Sequence, residues 1–386
     1  MQKNILFLLH NSNLNNGATR SLVDIIENLV KHKSIKIVVA YPNETGTAID
    51  YLNNLGIKTI SIRYGTWEYP MNINWFSKVK FISKSIIRQI IGLFNLNKFK
   101  KIIKDDNINL IYSNTIVNYM GCILKRKYNI KHIWHIREFG IEDHGFGIIG
   151  GYSKLYSYFN KYTDEIIFIS NSVCKKFICN IDDKKKVHIL YNDISKNFIC
   201  KKEKFNFRDV LNICIIGTIQ PGKGQLEVIQ AVEILKKRGI TVKLHIAGHK
   251  SGWYYQYLEE YVTTNDLNDY VIFDGFIIDV NKYRQHMDVG VVASFSEAFG
   301  RVTIEGMLNQ LLMIGADAAG TSELIKSGSN GFLYPLHDVE SLAKLILEIN
   351  NDRKKMKKIA LAGYESALTF TNGSTEKEIY NIINSL

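Results

Sequence analysis

Cysteine is scarce, long apolar runs are missing, and the familiar metal and phosphate signatures are absent, so several classes fall away before anything positive is read. The five cysteines, Cys122, Cys174, Cys179, Cys200 and Cys214, are scattered, odd in number and form no Cys-x-x-Cys pair. Neither a disulfide framework nor a structural zinc site is indicated, and buried, reduced thiols are expected. No apolar run approaches the roughly eighteen residues of a membrane-spanning helix. Met1-Gln2-Lys3-Asn4-Ile5-Leu6 leads into a short strand rather than a signal peptide, so a cytosolic protein is expected. There is no repeat of solenoid period and no low-complexity segment beyond local lysine runs. No Asp-x-Asp occurs: Asp105-Asp106 and Asp182-Asp183 are adjacent pairs in lysine-rich loops.

What remains is a chain of 386 residues, 46% hydrophobic, long enough to bury two ordinary cores. Short runs rich in Ile and Val alternate with helix-length segments, the pattern of a parallel sheet covered on both faces. Strands are expected at 5–9, 35–40, 58–62, 110–113, 132–136, 165–170 and 187–191. A second series follows at 211–216, 242–247, 270–274, 288–293, 311–314 and 332–334. The polar, basic stretch Ser195 to Arg208 interrupts the alternation and reads as a linker.

The net charge of +12 is distributed unevenly. Residues 1–200 carry 28 Lys and Arg against 15 Asp and Glu, a balance of +13; residues 201–386 carry 21 against 22, a balance of −1. One basic half beside a neutral half implies a surface that meets something anionic. The densest part runs from Lys78 to Lys104, with eight basic residues and no acidic one. These are interleaved with Phe81, Ile86, Ile87, Ile90, Leu93 and Phe94, and Trp75 and Phe76 lead in. A basic amphipathic helix with aromatic flanks has the composition of an interfacial membrane segment, with Lys78, Lys80, Lys84 and Arg88 facing lipid headgroups. The competing reading is a core-packed helix with a solvated lysine face. No nucleic-acid recognition motif accompanies the charge.

The most informative stretch is Ser296-Glu297-Ala298-Phe299-Gly300-Arg301-Val302-Thr303-Ile304-Glu305-Gly306. It follows an apolar strand and enters a helical pattern, the place where open α/β sheets hold their ligands. Glu297 falls just before the helix and Glu305 about two turns inside it, roughly 10 Å apart along the axis. Backbone N–H groups near Phe299 and Gly300 would face an anion, with a carboxylate on either side to accept from hydroxyls. Two solvated glutamates are the plain alternative for an isolated pair.

This stretch resembles the Glu, seven residues, Glu signature of the retaining glycosyltransferases of GT-B architecture, in the large group 1 family that includes bacterial polysaccharide-building enzymes. Gly320-Thr321-Ser322-Glu323-Leu324-Ile325, Asn330-Gly331-Phe332-Leu333-Tyr334-Pro335 and Asp338 resemble the family downstream; Ile216-Gly217-Thr218-Ile219-Gln220-Pro221-Gly222-Lys223-Gly224 and Ala247-Gly248 do so upstream. The likeness is dense over residues 211–350. It implies an α/β, GT-B fold of two Rossmann-like domains with parallel sheets facing each other across a cleft. The domains would be an acceptor-binding one at 1–195, a linker at 196–208, a nucleotide-sugar-binding one at 209–371, and a final helix at 372–386 crossing back to the first domain.

The resemblance also implies roles. Glu305 would bind the nucleotide ribose and Glu297 the donor-sugar hydroxyls, while Lys223 and the amides of Phe299 and Gly300 would stabilise the departing diphosphate. Gly17, Gly217, Thr218, Gly248 and Arg301 would complete the donor site. Thr218 departs from the family, which often carries arginine there, and Arg301 is the expected replacement for that charge. His135, after the strand that ends Trp134-His135-Ile136, would touch the donor sugar, and Arg137 and Glu138 the acceptor. Glu297, His135 and Lys223 are the expected catalytic residues.

The expected function is retaining transfer of a sugar from a nucleoside-diphosphate donor, a UDP-sugar by base rate, to a hydroxyl of a lipid-linked glycan in capsule-type polysaccharide synthesis. The enzyme would be cytoplasmic, at the inner face of the cell membrane, and would need neither cofactor nor metal. Two alternatives stay open: a glycosidase with Glu297 and Glu305 as acid and base, and a catalytically silent GT-B partner subunit or nucleotide-binding module.

Overall fold

The structure, a computed structural model, describes residues 2–42, 45–201 and 210–386. The chain folds as two compact units, Met1–Asp193 together with Gly373–Leu386, and Ile194–Asn372.

In the first unit the strands are β1 (Lys3–Leu8), β2 (Ile35–Tyr41), β3 (Lys58–Ser61), β4 (Glu68–Pro70), β5 (Leu110–Asn114), β6 (Lys131–Ile136), β7 (Phe146–Ile148), β8 (Glu165–Phe168) and β9 (Val187–Ile189). Seven of them form a parallel sheet in the order β3-β2-β1-β5-β6-β8-β9. β1 is apolar at every position after Asn4 because both its faces are covered. Ile5 and Phe7 face one core with Leu22, Ile26 and Leu29; Leu6 and Leu8 face another with Phe99, Met120 and Leu124. The helix Ser374–Ser385 adds Ile379, Ile382 and Ile383 to the first of these cores. Each such side chain contributes about 1.5–3 kcal/mol on burial, which ties the last residues of the chain to its first strand.

The small antiparallel sheet of β4 and β7 is not foreseen by the periodicity, since its strands are three residues each. They pair where Gly147 admits the ring of Tyr69, which would stand 2.8 Å from an added Cβ.

The second unit has β10 (Leu211–Ile216), β11 (Val242–Ala247), β12 (Val271–Gly275), β13 (Val289–Val292), β14 (Leu312–Ala316) and β15 (Phe332–Tyr334), in the parallel order β12-β11-β10-β13-β14-β15. Leu211, Ile213 and Ile215 pack with Val228, Val232 and Leu235 of the helix Gln225–Lys237. The strand order reverses between β10 and β13 here, and between β1 and β5 in the first unit. At such a switch point adjacent loops diverge and leave room for a ligand.

Two expectations are revised. The stretch read as a linker is in part built into the second unit: Cys200 N–H donates to Leu308 O at 3.0 Å and Asn309 Nδ2 to Phe198 O at 3.0 Å. Residues 202–208 of that stretch lie outside the described residues. Cys122, Cys174 and Cys214 are buried thiols, but Cys179 is exposed and Cys200 half-buried.

Candidate functional site

In the second unit the loops leaving β10, β11 and β13 are pressed together backbone to backbone. A Cβ at Gly248 would stand 2.3 Å from Gly217 O, and one at Gly224, whose φ is +70°, would stand 2.1 Å from Ala293 O. Phe295 N–H donates to Gly222 O at 3.0 Å. This close approach brings Lys223, in the 3-10 turn Pro221–Lys223, against the next loop. Its Nζ donates to Glu297 Oε2 at 2.7 Å, with both side chains half-buried. Thr218 accepts through its carbonyl from Gln225 Nε2 at 2.9 Å.

The loop Glu297–Gly300 is wrapped around Gly320. Gly320 N–H donates to Glu297 O at 2.7 Å, and a Cβ there would meet Glu297 O, Ala298 O and Phe299 O at 2.7, 2.8 and 2.8 Å. With those carbonyls turned toward Gly320, planar peptides put the N–H groups of Ala298, Phe299 and Gly300 on the opposite side. Gly300, at φ +93°, opens the helix Arg301–Leu308 without a side-chain cap. An uncapped helix start beside a lysine is suited to an anion, because both the helix dipole and the ammonium favour negative charge there. The ring of Phe299 is buried and lies 6.0 Å from that of Phe370.

Glu305 is held from both sides. Arg284 Nη2 donates to its Oε2 at 2.9 Å and Arg301 Nε to its Oε1 at 2.8 Å. Arg301 also lies over the Phe198 ring, its guanidinium carbon 5.8 Å from the centroid. The structure therefore engages Arg301 with Glu305 rather than leaving it as a second cation beside Lys223. Arg284 was not singled out from sequence: it ends the short helix Val280–Arg284 and belongs to no motif, yet its side chain is only 1% exposed.

The expected residues of the first unit form an interior network. His135 Nδ1 is 2.7 Å from Tyr112 Oη and 3.2 Å from Arg137 Nη2. Arginine can only donate, so Nδ1 accepts and the neutral imidazole carries its proton on Nε2. Burial first, then Arg137, holds the ring's pKa well below its ordinary value. That Nε2–H is buried with no partner among the described residues. Arg137 also donates to Asn114 Oδ1 and Asn192 Oδ1. Glu138 accepts from the amides of Ile116 at 2.8 Å and Arg137 at 3.0 Å, and burial, then Asp143, pushes its pKa up to about 8. Arg137 and Glu138 are each only 5% exposed, so they are interior groups. Gly17 begins the helix Gly17–Leu29 behind Asn16, whose side chain accepts from Thr19 N–H at 3.0 Å, so this is a capped helix entry.

The basic stretch forms two helices: Leu96–Asp105, which buries Leu96, Phe99 and Ile102 in the core, and Trp75–Phe94, whose only buried residues are Ser85 and Gly92. Ser85 Oγ donates to Thr66 O at 2.8 Å, and Gly65 fits against the backbone of Arg88 and Gln89, 2.7 Å from where a Cβ would be. Small residues thus seat the helix while Trp75, Phe76, Phe81, Ile87 and Phe94 stay exposed. The alternative of a core-packed helix with a solvated lysine face describes Leu96–Asp105 but not Trp75–Phe94. Lys80, Lys84 and Arg88 are exposed, and Lys78 is half-buried, 5.3 Å from the Tyr69 ring centroid.

Residues 199–366, within the second unit, match the family of glycosyl transferases group 1. An uncharacterized glycosyltransferase of Methanocaldococcus jannaschii is 27% identical over 288 residues, 74% of this chain and 78% of that one. The capsular polysaccharide biosynthesis glycosyltransferase CapM of Staphylococcus aureus is 26% identical over 205 residues, so the match spans about half of each chain, 49% and 52%. Among solved structures, Anabaena HepE in complex with UDP is similar over 100% of both chains with a TM-score of 0.80 at 21% identity. Residues 199–366 thus match the glycosyl transferases group 1 family, and the two parallel sheets are those of a GT-B fold.

Proposed function

We propose that this protein is a retaining glycosyltransferase that moves a sugar from a nucleoside-diphosphate donor to a hydroxyl of a lipid-linked glycan. The observation that carries the reading is the Lys223–Glu297 contact beside the uncapped helix start at Gly300. A diphosphate at that helix start would take up Lys223, and Glu297 would then be available to accept from donor-sugar hydroxyls. As the bond from the anomeric carbon to the diphosphate oxygen breaks, negative charge builds on that oxygen. Lys223 and the loop amides stabilise it, typically the largest single contribution in such a site. The acceptor oxygen bonds to the same face of the anomeric carbon and its proton passes to the leaving phosphate oxygen. Glu305, fixed by Arg284 and Arg301, has a second lone pair on each oxygen for the ribose hydroxyls. His135 Nε2–H is a donor for a sugar hydroxyl or acceptor oxygen.

UDP is the preferred nucleotide, since HepE complexes contain UDP and UDP-glucose. A role in cell-surface polysaccharide synthesis is supported by the name of CapM. The exposed apolar and basic residues of the helix Trp75–Phe94 support peripheral attachment to an anionic membrane. The test is thermal stabilisation by a panel of UDP-, GDP-, ADP- and TDP-sugars, followed by nucleoside-diphosphate release with lipid-linked glycan acceptors. Stabilisation by one nucleotide class and turnover of one donor are expected. Binding without turnover of any donor would leave a silent nucleotide-binding subunit instead, and no binding at all would remove the reading.

A further inference from the structure

At the carboxyl ends of β1, β2 and β3 the first unit has a polar cavity of about 610 Å³ that the donor site does not use. Its lining includes His10, Asn13, Thr45, Ser61 and Arg63. Three observations give it a chemistry. His10 Nδ1 is buried with no partner among the described residues, and burial, then Arg137 and His144, lowers the ring's pKa to about 4, so a neutral imidazole faces the site. Arg63 is exposed; only its backbone carbonyl is engaged, accepting from Asn95 Nδ2 at 2.8 Å, and its guanidinium has no partner among the described residues. Among the described residues the rest of the lining is the hydroxyls of Ser12, Thr45 and Ser61, the amides of Asn11 and Asn13, and Pro42. An available guanidinium with hydroxyl and imidazole donors is a set suited to phosphate oxygens, which Arg can grip with two parallel N–H bonds.

The third observation is what adjoins the cavity. The segment that supplies Ser61 and Arg63 to the wall continues into Tyr64 and Gly65. Tyr64 Oη donates to Ala40 O at 2.9 Å, and Gly65 lies under the backbone of Arg88 and Gln89. Within a few residues, the cavity wall becomes the seat of the helix Trp75–Phe94, with its ten exposed large apolar side chains. A polar cavity with room for a phosphate group, beside an apolar shelf, fits an amphiphile.

We propose that this cavity binds the phosphate of an amphiphilic acceptor, with Arg63 on the phosphate and the hydrocarbon chain along the helix Trp75–Phe94. Naming the ligand an acceptor rests on the glycosyltransferase reading; the binding itself does not. The test is calorimetric titration of the full chain with octyl phosphate, inorganic phosphate and octyl glucoside. Octyl phosphate should bind, inorganic phosphate at least about tenfold more weakly, and octyl glucoside not measurably. Arg63→Ala should weaken octyl phosphate at least about tenfold, since a charge-assisted bond is lost, and Arg63→Lys less. Ser61→Ala, a second wall variant, should also weaken it.

Stabilisation by UDP, measured on the same variants, reports whether they fold and is expected to be unchanged. Unaltered octyl phosphate affinity in Arg63→Ala overturns the proposal, as does equal binding of octyl glucoside. Equal affinity for inorganic phosphate overturns the amphiphilic source. Loss that follows Lys84→Glu but not Arg63→Ala would assign the binding to the helix surface and overturn the cavity. If wild type binds octyl phosphate but no nucleotide, the donor reading fails and the cavity stands; if it binds nucleotide but not octyl phosphate, the reverse holds.

Discussion

Glu305 and Arg284 should respond unequally to being disarmed, because one of them has two charged partners and the other has one. Arg284 is 1% exposed and its cation is met by Glu305 Oε2 at 2.9 Å, while its Nη1 has no partner among the described residues. Glu305, 12% exposed, is also held by Arg301 at 2.8 Å. Glu305→Gln therefore strands a buried cation, which costs about 3 kcal/mol, the lower end for breaking a buried pair because the glutamine oxygen still accepts. Arg284→Met keeps most of the volume and leaves Glu305 with Arg301, so about 1–2 kcal/mol is expected. At roughly 2–4 °C per kcal/mol for a unit of this size, Glu305→Gln should lower the melting temperature by about 6–12 °C. The double variant, with no buried charge left unpaired, should be more stable than the sum of the two single losses. Scanning calorimetry with and without UDP identifies the transition of the second unit as the one that nucleotide shifts. If Glu305→Gln is no more damaging than Arg284→Met, or the two losses simply add, the coupling argued here is wrong.

Lys223→Ala should cut transfer by about 10²–10³-fold through loss of charge at the leaving group, yet change stability by no more than about 1 kcal/mol because its pair with Glu297 is half-solvated; steady-state kinetics beside thermal melts check both. Gly320→Ala should push the loop Glu297–Phe299 outward, since the new methyl meets three carbonyl oxygens at 2.7 to 2.8 Å; a loss on the order of 10²-fold in kcat/KM is expected from a shift of about 1 Å. Glu138 has a folded pKa of about 8 against an ordinary 4.5, so the fold binds its proton more tightly than the unfolded chain does. Its stabilisation is complete below pH 4.5 and is lost as pH rises through 8, so wild type should lose stability relative to Glu138→Gln across that window; denaturant titrations from about pH 5 to about pH 9 measure the difference. Charge reversal at Lys80, Lys84 and Arg88 should abolish cosedimentation with anionic vesicles, each residue contributing about 1 kcal/mol near the surface; unchanged sedimentation would refute the membrane role of the helix.

The strand series was legible because each parallel strand, covered on both faces, must be apolar almost throughout, and Ile, Leu, Phe and Val supply that run in β1, β10 and β13. β4 and β7 were not, since three residues carry no period and their pairing depends on Gly147 making room for Tyr69. The Glu297–Glu305 stretch was legible through its spacing after a strand and its likeness to a family. Arg284 was not, because a lone arginine in a five-residue helix is indistinguishable from a surface one until the fold buries it.

By itself, then, the sequence determined two α/β units, the glycine-rich loops proposed to hold the diphosphate, and a basic apolar segment between two strands of the first. Periodicity and charge are local properties of a chain and survive without coordinates. Only tertiary structure decided that Arg301 answers to Glu305, that Arg137 and Glu138 lie inside, that His135 holds its proton on Nε2, and that the helix Trp75–Phe94 rests on Ser85 and Gly92. Burial and partner choice depend on which distant backbones meet, and that is fixed by close approaches such as Gly224 to Ala293 and Gly320 to the Glu297 loop, not by the residues' own identity.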